Sequence, residues 1–281
     1  MPIFYNITKK LISLYPKPVH PLNLNNDGVK SYAEWQLEKG GDTLKGYMPF
    51  ISPAGIFNGK IVLDIGCGAA GKTIYYAKHN VKKIYGLEIL EKYRSAANAI
   101  AKKENLADKF EFVCADGANT GFEDDFFDVI IMNDVVEHVD NPENIFNECY
   151  RILKPGGRIY LNFPPYYHPT GAHLSDAIGI PWVQCFFSDS FLIKLYKDLV
   201  KDLPDGSERI EFRISTGENG KEYFSYINKM TIKKFKKLKS PKKFKILYYN
   251  ERPVRSVFKI AAKTPKLKEL FVGMVTVILE K

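Results

Sequence analysis

The 281-residue chain has only four cysteines, Cys67, Cys114, Cys149 and Cys185, with no C-x-x-C pair among them. That scatter argues against both a disulfide framework and a cysteine zinc site. Cys67 falls in a glycine loop and Cys114 closes an apolar run, positions that suit small packing residues better than reactive thiols. No apolar stretch approaches the roughly 18 residues needed to span a bilayer. The opening Met1–Tyr15 is partly apolar, but Lys9 and Lys10 interrupt it and no small-residue cleavage site follows. A signal peptide is therefore not expected, and the protein is expected in the cytoplasm. Internal repeats are missing, as are low-complexity tracts apart from one lysine run. Acids are absent from Lys229 to Lys245, where nine lysines account for the whole formal net charge of +9. The basic character thus belongs to one segment, and overall charge gives no reason to expect a specific nucleic-acid partner.

What remains is the composition of an ordinary globular protein, 45% hydrophobic and 26% charged. From Lys60 to Phe163 strand-like runs (Ile61–Ile65, Lys83–Glu88, Phe110–Cys114, Asp128–Met132, Arg158–Phe163) alternate with helical patterns near Lys72–His79, Glu91–Asn105 and Pro142–Leu153. Such alternation predicts an α/β, doubly wound, mostly parallel sheet with helices on both faces. After Phe163 a proline-, glycine- and aromatic-rich stretch breaks the rhythm. A helix is expected over Asp189–Val200 with Ser188 as its cap, and then a hairpin with arms Glu211–Ile214 and Tyr223–Ile227. Thr231 is a candidate cap for a lysine-rich helix. Two last strands, Phe244–Tyr249 and Val272–Leu279, flank helical residues around Val257–Leu270. Ahead of the sheet lie a helix around Val29–Lys39 and a loop at Gly40 and Gly41, expected to pack over the carboxyl ends of the strands. The chain therefore divides into an amino-terminal cap segment (1–55), a core (56–165), a cap insertion (166–240) and a terminal strand pair (241–281).

The central motif is Val62-Leu63-Asp64-Ile65-Gly66-Cys67-Gly68-Ala69-Ala70-Gly71. Gly66 and Gly68 permit positive φ and close approach of a ligand to backbone, and the helix that follows presents free amides. Gly66-x-Gly68-x-x-Gly71, with Glu88 further on, also fits a dinucleotide fingerprint, so an NAD-dependent oxidoreductase is the alternative. Asp64 weighs against it, because a carboxylate there receives an ammonium and repels a pyrophosphate. A binding module that keeps the pocket without catalysis is a third reading.

Together with Gly86-Leu87-Glu88, Cys114-Ala115-Asp116-Gly117, Phe127–Met132, Val136-Glu137-His138-Val139 and Leu153-Lys154-Pro155-Gly156-Gly157-Arg158, the motif resembles the class I S-adenosylmethionine-dependent methyltransferases. The closest likeness is to the ubiquinone and menaquinone biosynthesis group. The resemblance implies a Rossmann-like, seven-stranded sheet with an antiparallel last strand, and S-adenosylmethionine as cofactor. Asp64 would receive its ammonium, and Gly66 and Gly68 would let its methionine part lie against backbone. Glu88 would accept from both ribose hydroxyls, and Cys67 and Ile89 are further cofactor-binding candidates. Asp116 and Gly117 would meet the adenine, and Asn133 would line the wall near the sulfonium. An acid after a strand is also an ordinary helix cap, a reading that stays open for Glu88 and Asp116.

Methyl transfer is an in-line displacement in which the enzyme mainly positions the acceptor. His138 and the loop carrying Tyr166, Tyr167, His168 and His173 are the candidates for that work. The histidines are the catalytic candidates, as orienting groups or bases, and the tyrosines would form a substrate wall. The alternative is an aromatic hinge under the cap. His168 and His173 lack a third obvious ligand, so no metal is expected. The expected partner is a small-molecule or lipid-linked acceptor. Lys229–Lys245 reads as a solvated helix face with Ile232, Phe235 and Leu238 buried, or as a peripheral contact with an anionic surface. Nothing in the sequence bears on oligomeric state.

Overall fold

A computed structural model describes residues 2–16 and 19–281; Met1, Lys17 and Pro18, all within the first cap segment, lie outside the described residues. The strands are β1 (Ile61–Ile65), β2 (Lys83–Glu88), β3 (Phe110–Cys114), β4 (Phe127–Asn133), β5 (Leu153–Phe163), β6 (Ile214–Thr216), β7 (Glu222–Phe224), β8 (Lys245–Pro253) and β9 (Val272–Glu280). Seven of them form one sheet in the order β3-β2-β1-β4-β5-β9-β8. Pairing is parallel from β3 through β5, while β9 runs antiparallel to both β5 and β8. The expected doubly wound sheet with a reversed last strand is what forms.

Side-chain alternation explains why the sheet has two apolar faces. Val62, Ile84, Val129, Ile131 and Ile278 enter one core cluster, and their neighbours Leu63, Leu87, Ile130, Met132 and Val277 enter the other. The amino-terminal helices are α1 (Pro2–Leu14), α2 (Pro21–Asn26), α3 (Tyr32–Leu44) and α4 (Pro53–Phe57). Helices α5 (Gly71–Ala77), α6 (Arg94–Lys103) and α7 (Pro142–Ile152) connect the parallel strands. Helices α3, α4, α5 and α6 cover the first face, and α7 covers the second through Ile145, Phe146, Cys149 and Ile152.

Helix α3 starts on a capping box, Ser31 accepting from the Glu34 amide and Glu34 accepting from the Ser31 amide. It does not stop at Lys39 as the glycines suggest. Gly40 and Gly41 lie inside it because α3 rests directly on α5: a Cβ at Gly40 would sit 2.4 Å from Tyr75 Cβ. The glycines are there for close packing, not for a turn.

The cap is built by α8 (Val183–Phe186), α9 (Asp189–Val200) and α10 (Gly206–Arg213), with the β6–β7 hairpin beside them. Its own apolar cluster joins Tyr166, Leu192, Tyr196, Phe224 and Tyr226 to Ile12 of α1. Ser188 and Thr231 accept amide hydrogen bonds as helix caps. The hairpin forms, but Glu211–Arg213 of its expected first arm is helical, the last turn of α10. Helix α11 (Ile232–Lys237) buries Ile232 and Phe235 in the core beneath the sheet, so the end of the 166–240 segment packs on the core as well as on the cap. Its lysines 233, 234, 236 and 237 are exposed, as a solvated face requires. Helices α12 (Lys259–Lys263) and α13 (Lys268–Phe271) lead into β9. No helix among the described residues is long and apolar enough to cross a membrane.

Candidate functional site

The glycine loop leaves β1 with Gly66 at φ 72° and Gly68 at φ 55°, and α5 then begins from Ala70 at φ 60°. All three lie in the left-handed region, where a glycine rests at little cost and Ala70 is strained. A Cβ on Gly71 would fall 2.0 Å from the Ala33 carbonyl oxygen, so only glycine lets α3 close over this loop. Gln36 of α3, which sequence reasoning missed, enters here. Its Oε1 accepts from the Gly71 amide at 3.2 Å and its Nε2 donates to the Cys67 carbonyl at 3.3 Å. Glu88 Oε2 accepts from the Gly68 amide at 3.0 Å, and its Oε1 from the Leu90 amide at 3.1 Å.

Two of the loop amides that a pyrophosphate would need are thus already occupied by side chains. The loop also carries the carboxylates of Asp64 and Glu88, and Asp134 ion-pairs the nearby Lys72 at 3.3 Å. Lys72 is therefore already paired and offers an anionic ligand little, whereas an ammonium and ribose hydroxyls find acceptors in Asp64 and Glu88.

Asp64 is 5% exposed. Its Oδ2 accepts from Thr73 Oγ1 at 2.5 Å, and burial pushes its carboxyl up to about 7. Cys67 is buried and packs against Gly86, and burial holds its thiol well above the usual range, as a packing residue should behave. Cys114 departs from expectation: it is exposed at the end of the edge strand β3. Ile89, just past Glu88, leaves 65% of its surface open, an apolar platform at the strand end. Asp116 is exposed and accepts from the Ala118 amide at 2.8 Å, an Asx turn that leaves its other oxygen free. Gly117 is buried against Ile65 and Ile145.

Asn133 does not present its side chain to the crevice. Its Oδ1 accepts from Tyr47 and from Asn162 Nδ2 at 2.7 Å, and its Nδ2 donates to Tyr76 at 3.1 Å. That buried network ties β4 to β5, α5 and the segment after α3, and only the Asn133 backbone remains for a ligand wall. The next residue takes its place. Asp134 turns at φ 57°, and its charge acts on Tyr32, Lys72, Glu137, His138 and His168. It lies electrostatically between the glycine loop and the cap, a position legible only once the turn is known.

Beyond Asp134 the candidate acceptor residues converge. His138 Nδ1 meets the Tyr226 carbonyl at 2.7 Å, and its ring lies 4.8 Å from that of His173. His168 Nδ1 accepts from the Thr170 amide at 3.2 Å. Burial lowers all three imidazoles, His168 to about 4, so each is neutral near pH 7. Tyr166 is buried, stacked edge-on against the exposed Tyr167. Sequence spacing pairs His173 with His168, but the fold sets His173 beside His138 and Glu137. Glu137 is 1% exposed and neither carboxylate oxygen has a hydrogen-bond partner among the described residues. Burial pushes its carboxyl well up.

Residues 63–161 match the family described as a methyltransferase domain. The sterol 24-C-methyltransferase ERG6 of Saccharomyces cerevisiae is 36% identical over 104 residues, 37% of this chain and 27% of that enzyme. The chain thus aligns with about a quarter of that relative's length. Among solved structures, geranyl diphosphate methyltransferase in complex with S-adenosylmethionine superposes with a TM-score of 0.53 at 13% identity, covering 87% of this chain and 84% of that one. The [4+2]-cyclase SpnF gives the same TM-score at 14% identity, covering 87% and 81%. The sheet is therefore the class I methyltransferase fold, and the cyclase is a reminder that this fold alone does not set the reaction.

Proposed function

We propose that this chain, whose residues 63–161 are a methyltransferase domain, binds S-adenosylmethionine at the carboxyl ends of β1 to β4 and passes its methyl group to a small-molecule or lipid-linked acceptor under the cap. The occupied amides of Gly68 and Gly71 carry this reading over the NAD alternative, because they leave an acid-lined crevice with no phosphate clamp. When bound, the cofactor supplies an electrophilic methyl on a sulfonium. Asp64 receives the ammonium, Gly66, Cys67 and Gly68 lie along the methionine part, and Glu88 accepts from the ribose hydroxyls. Ile89 covers the adenine face, while Asp116 and Gly117 meet its edge. Asn133 contributes backbone to the wall.

On the acceptor side His138, His168 and His173 present neutral imidazoles, with Tyr166 and Tyr167 as an aromatic wall. A ring held near 4 is a weak base, and with its Nδ1 lone pair taken by the Thr170 amide the neutral ring carries its proton on Nε2. His168 therefore serves by donating a hydrogen bond that orients the acceptor rather than by storing its proton. Calorimetry with S-adenosylhomocysteine and with NAD tests the cofactor half: micromolar binding of the first and none of the second is expected, and the reverse preference overturns it. Release of S-adenosylhomocysteine over a panel of hydroxyl, amine and carbon acceptors tests the transfer half. Binding without turnover of any acceptor would return the chain to a binding module.

A further inference from the structure

We infer that Glu137, His138 and His173 form a site for one divalent transition-metal ion, of the kind that zinc occupies. One ligand atom from each residue lies within 4.8 Å of the others. In a tetrahedral site with bonds near 2.1 Å, ligand atoms stand about 3.4 Å apart, so side-chain rotations of about 1 Å close the set.

The carboxylate is the strongest observation. Glu137 is sealed from water at 1% exposure, and neither oxygen has a hydrogen-bond partner in another of the described residues. A buried carboxyl group with its acceptor sites empty is costly unless a donor or cation meets it. The backbone that carries the group is also fixed. The Glu137 carbonyl accepts from the Asn228 amide at 2.8 Å, and Asn228 Nδ2 donates to the carbonyls of Val136 and Val139 at 2.8 and 2.7 Å. Asn228 therefore holds the 136–139 turn on both sides of Glu137.

The histidines are prepared in different ways. A carbonyl only accepts, so the 2.7 Å contact with Tyr226 fixes the proton on His138 Nδ1 and leaves the Nε2 lone pair free. That is the outer-shell arrangement that orients metal-bound imidazoles elsewhere. His173 has no side-chain hydrogen bond among the described residues, and its backbone is held at φ 51°, which a non-glycine residue adopts only when the surroundings require it. Two imidazole nitrogens and one carboxylate oxygen suit Zn²⁺, Co²⁺ or Fe²⁺ and leave coordination positions open for an acceptor oxygen. The charge of Arg213 opposes a cation at His138 and His173, and that of Asp134 favours one.

The site shares His138 and His173 with the proposed acceptor side, but its test is independent of that reading, because a metal titration needs neither cofactor nor acceptor. The chain is stripped with chelator and titrated with Zn²⁺ by calorimetry and with Co²⁺ by visible absorption. One equivalent with a dissociation constant in the micromolar range or tighter is expected, with cobalt d–d bands. Glu137→Gln and His173→Asn, the latter chosen because asparagine tolerates positive φ, should each weaken it at least tenfold, and His168→Ala should leave it unchanged. Circular dichroism checks each variant's fold, and should Glu137→Gln unfold, His173→Asn decides alone. No stoichiometric binding to the wild-type chain overturns the site, as does binding that neither variant weakens.

Discussion

Asp64 makes the stability of the free protein depend on pH in the direction opposite to that of an ordinary salt-bridged carboxylate, and makes cofactor binding tighten as pH rises. Burial raises its folded-state value from 3.8 to about 7. The free protein therefore holds a proton there that the unfolded chain has lost, and the associated stability is fully present below 3.8 and lost as pH rises towards 7. A shift of about three units sets an upper bound of about 4 kcal/mol on that loss. An ammonium seated on Asp64 requires the carboxylate, so binding expels the proton. Between pH 5.5 and 7 the α-amino group of S-adenosylhomocysteine stays charged, and affinity should rise close to tenfold per unit before levelling near 7.

Calorimetry at pH 5.5, 6.5 and 7.5, in two buffers of different ionisation enthalpy, reads both the affinity and the proton released. About 30-fold tighter binding at 7.5 than at 5.5 is expected, with nearly one proton expelled at the low end. Asp64→Asn removes the titrating group. Its affinity should be flat across the range, close to wild type at pH 5.5 and about 10–100-fold weaker at 7.5, the usual cost of a hydrogen bond to a charged group. The free Asp64→Asn protein should also be the more stable of the two at pH 7.5. A flat wild-type profile refutes the reasoning, and so does a slope that survives in the variant, since another group would then be titrating.

Glu88→Ala should weaken S-adenosylhomocysteine by about 1–3 kcal/mol, because it removes the ribose acceptor and frees the Gly68 and Leu90 amides; wild-type affinity would remove Glu88 from the site. Gly71→Ala places a methyl 2.0 Å from the Ala33 oxygen, so it should destabilise the fold by about 3 kcal/mol and lower the Tm by roughly 5–10 °C in a thermal melt. An unchanged Tm would mean that α3 does not close on α5 as described. Neutralising Lys233, Lys234 and Lys237 to glutamine should leave cofactor binding unchanged at moderate salt. Steep, salt-dependent binding of the wild-type chain to duplex DNA or anionic vesicles, lost in that variant, would make the segment a docking surface instead.

The core was readable because its information is local. Period-two apolar runs bounded by glycine, and acids at two strand ends, place Asp64, Glu88 and Asp116 at one edge without knowledge of anything distant. The errors arose where contact is long-range. Gly40 and Gly41 suggest a loop until Tyr75 is known to lie against them. Gln36 acts on Gly71, and Tyr226 fixes a histidine 88 residues earlier, contacts that no spacing rule reaches. The family resemblance places Asn133, the last residue of β4, in the ligand wall. In the fold its side chain holds Tyr47, Tyr76 and Asn162, and a left-handed turn passes the exposed role to Asp134. Nothing in Val136-Glu137-His138-Val139 singles out Glu137, because the isolation of its carboxyl is a property of the packed structure.

Strain and unrelieved charge gather at the same edge of the sheet. Ala70, Asp134 and His173, all non-glycine, take positive φ there, and Asp64 and Glu137 are both buried carboxyl groups. Asp64 is held by one hydroxyl, and the Glu137 carboxyl by no other residue among those described. Packing elsewhere in the sheet must sustain these costs in the free protein. In the proposed complexes each carboxyl group would be relieved by a cation, the cofactor's ammonium at Asp64 and a metal ion at Glu137. Because the two relieving groups bind different carboxylates, their stabilising effects should be separable. S-adenosylhomocysteine should raise the Tm of Glu137→Gln as it does that of the wild type, and Zn²⁺ should raise the Tm of Asp64→Asn. A single variant that abolishes both increments would mean that Asp134 and Lys72 couple the two carboxylates into one site.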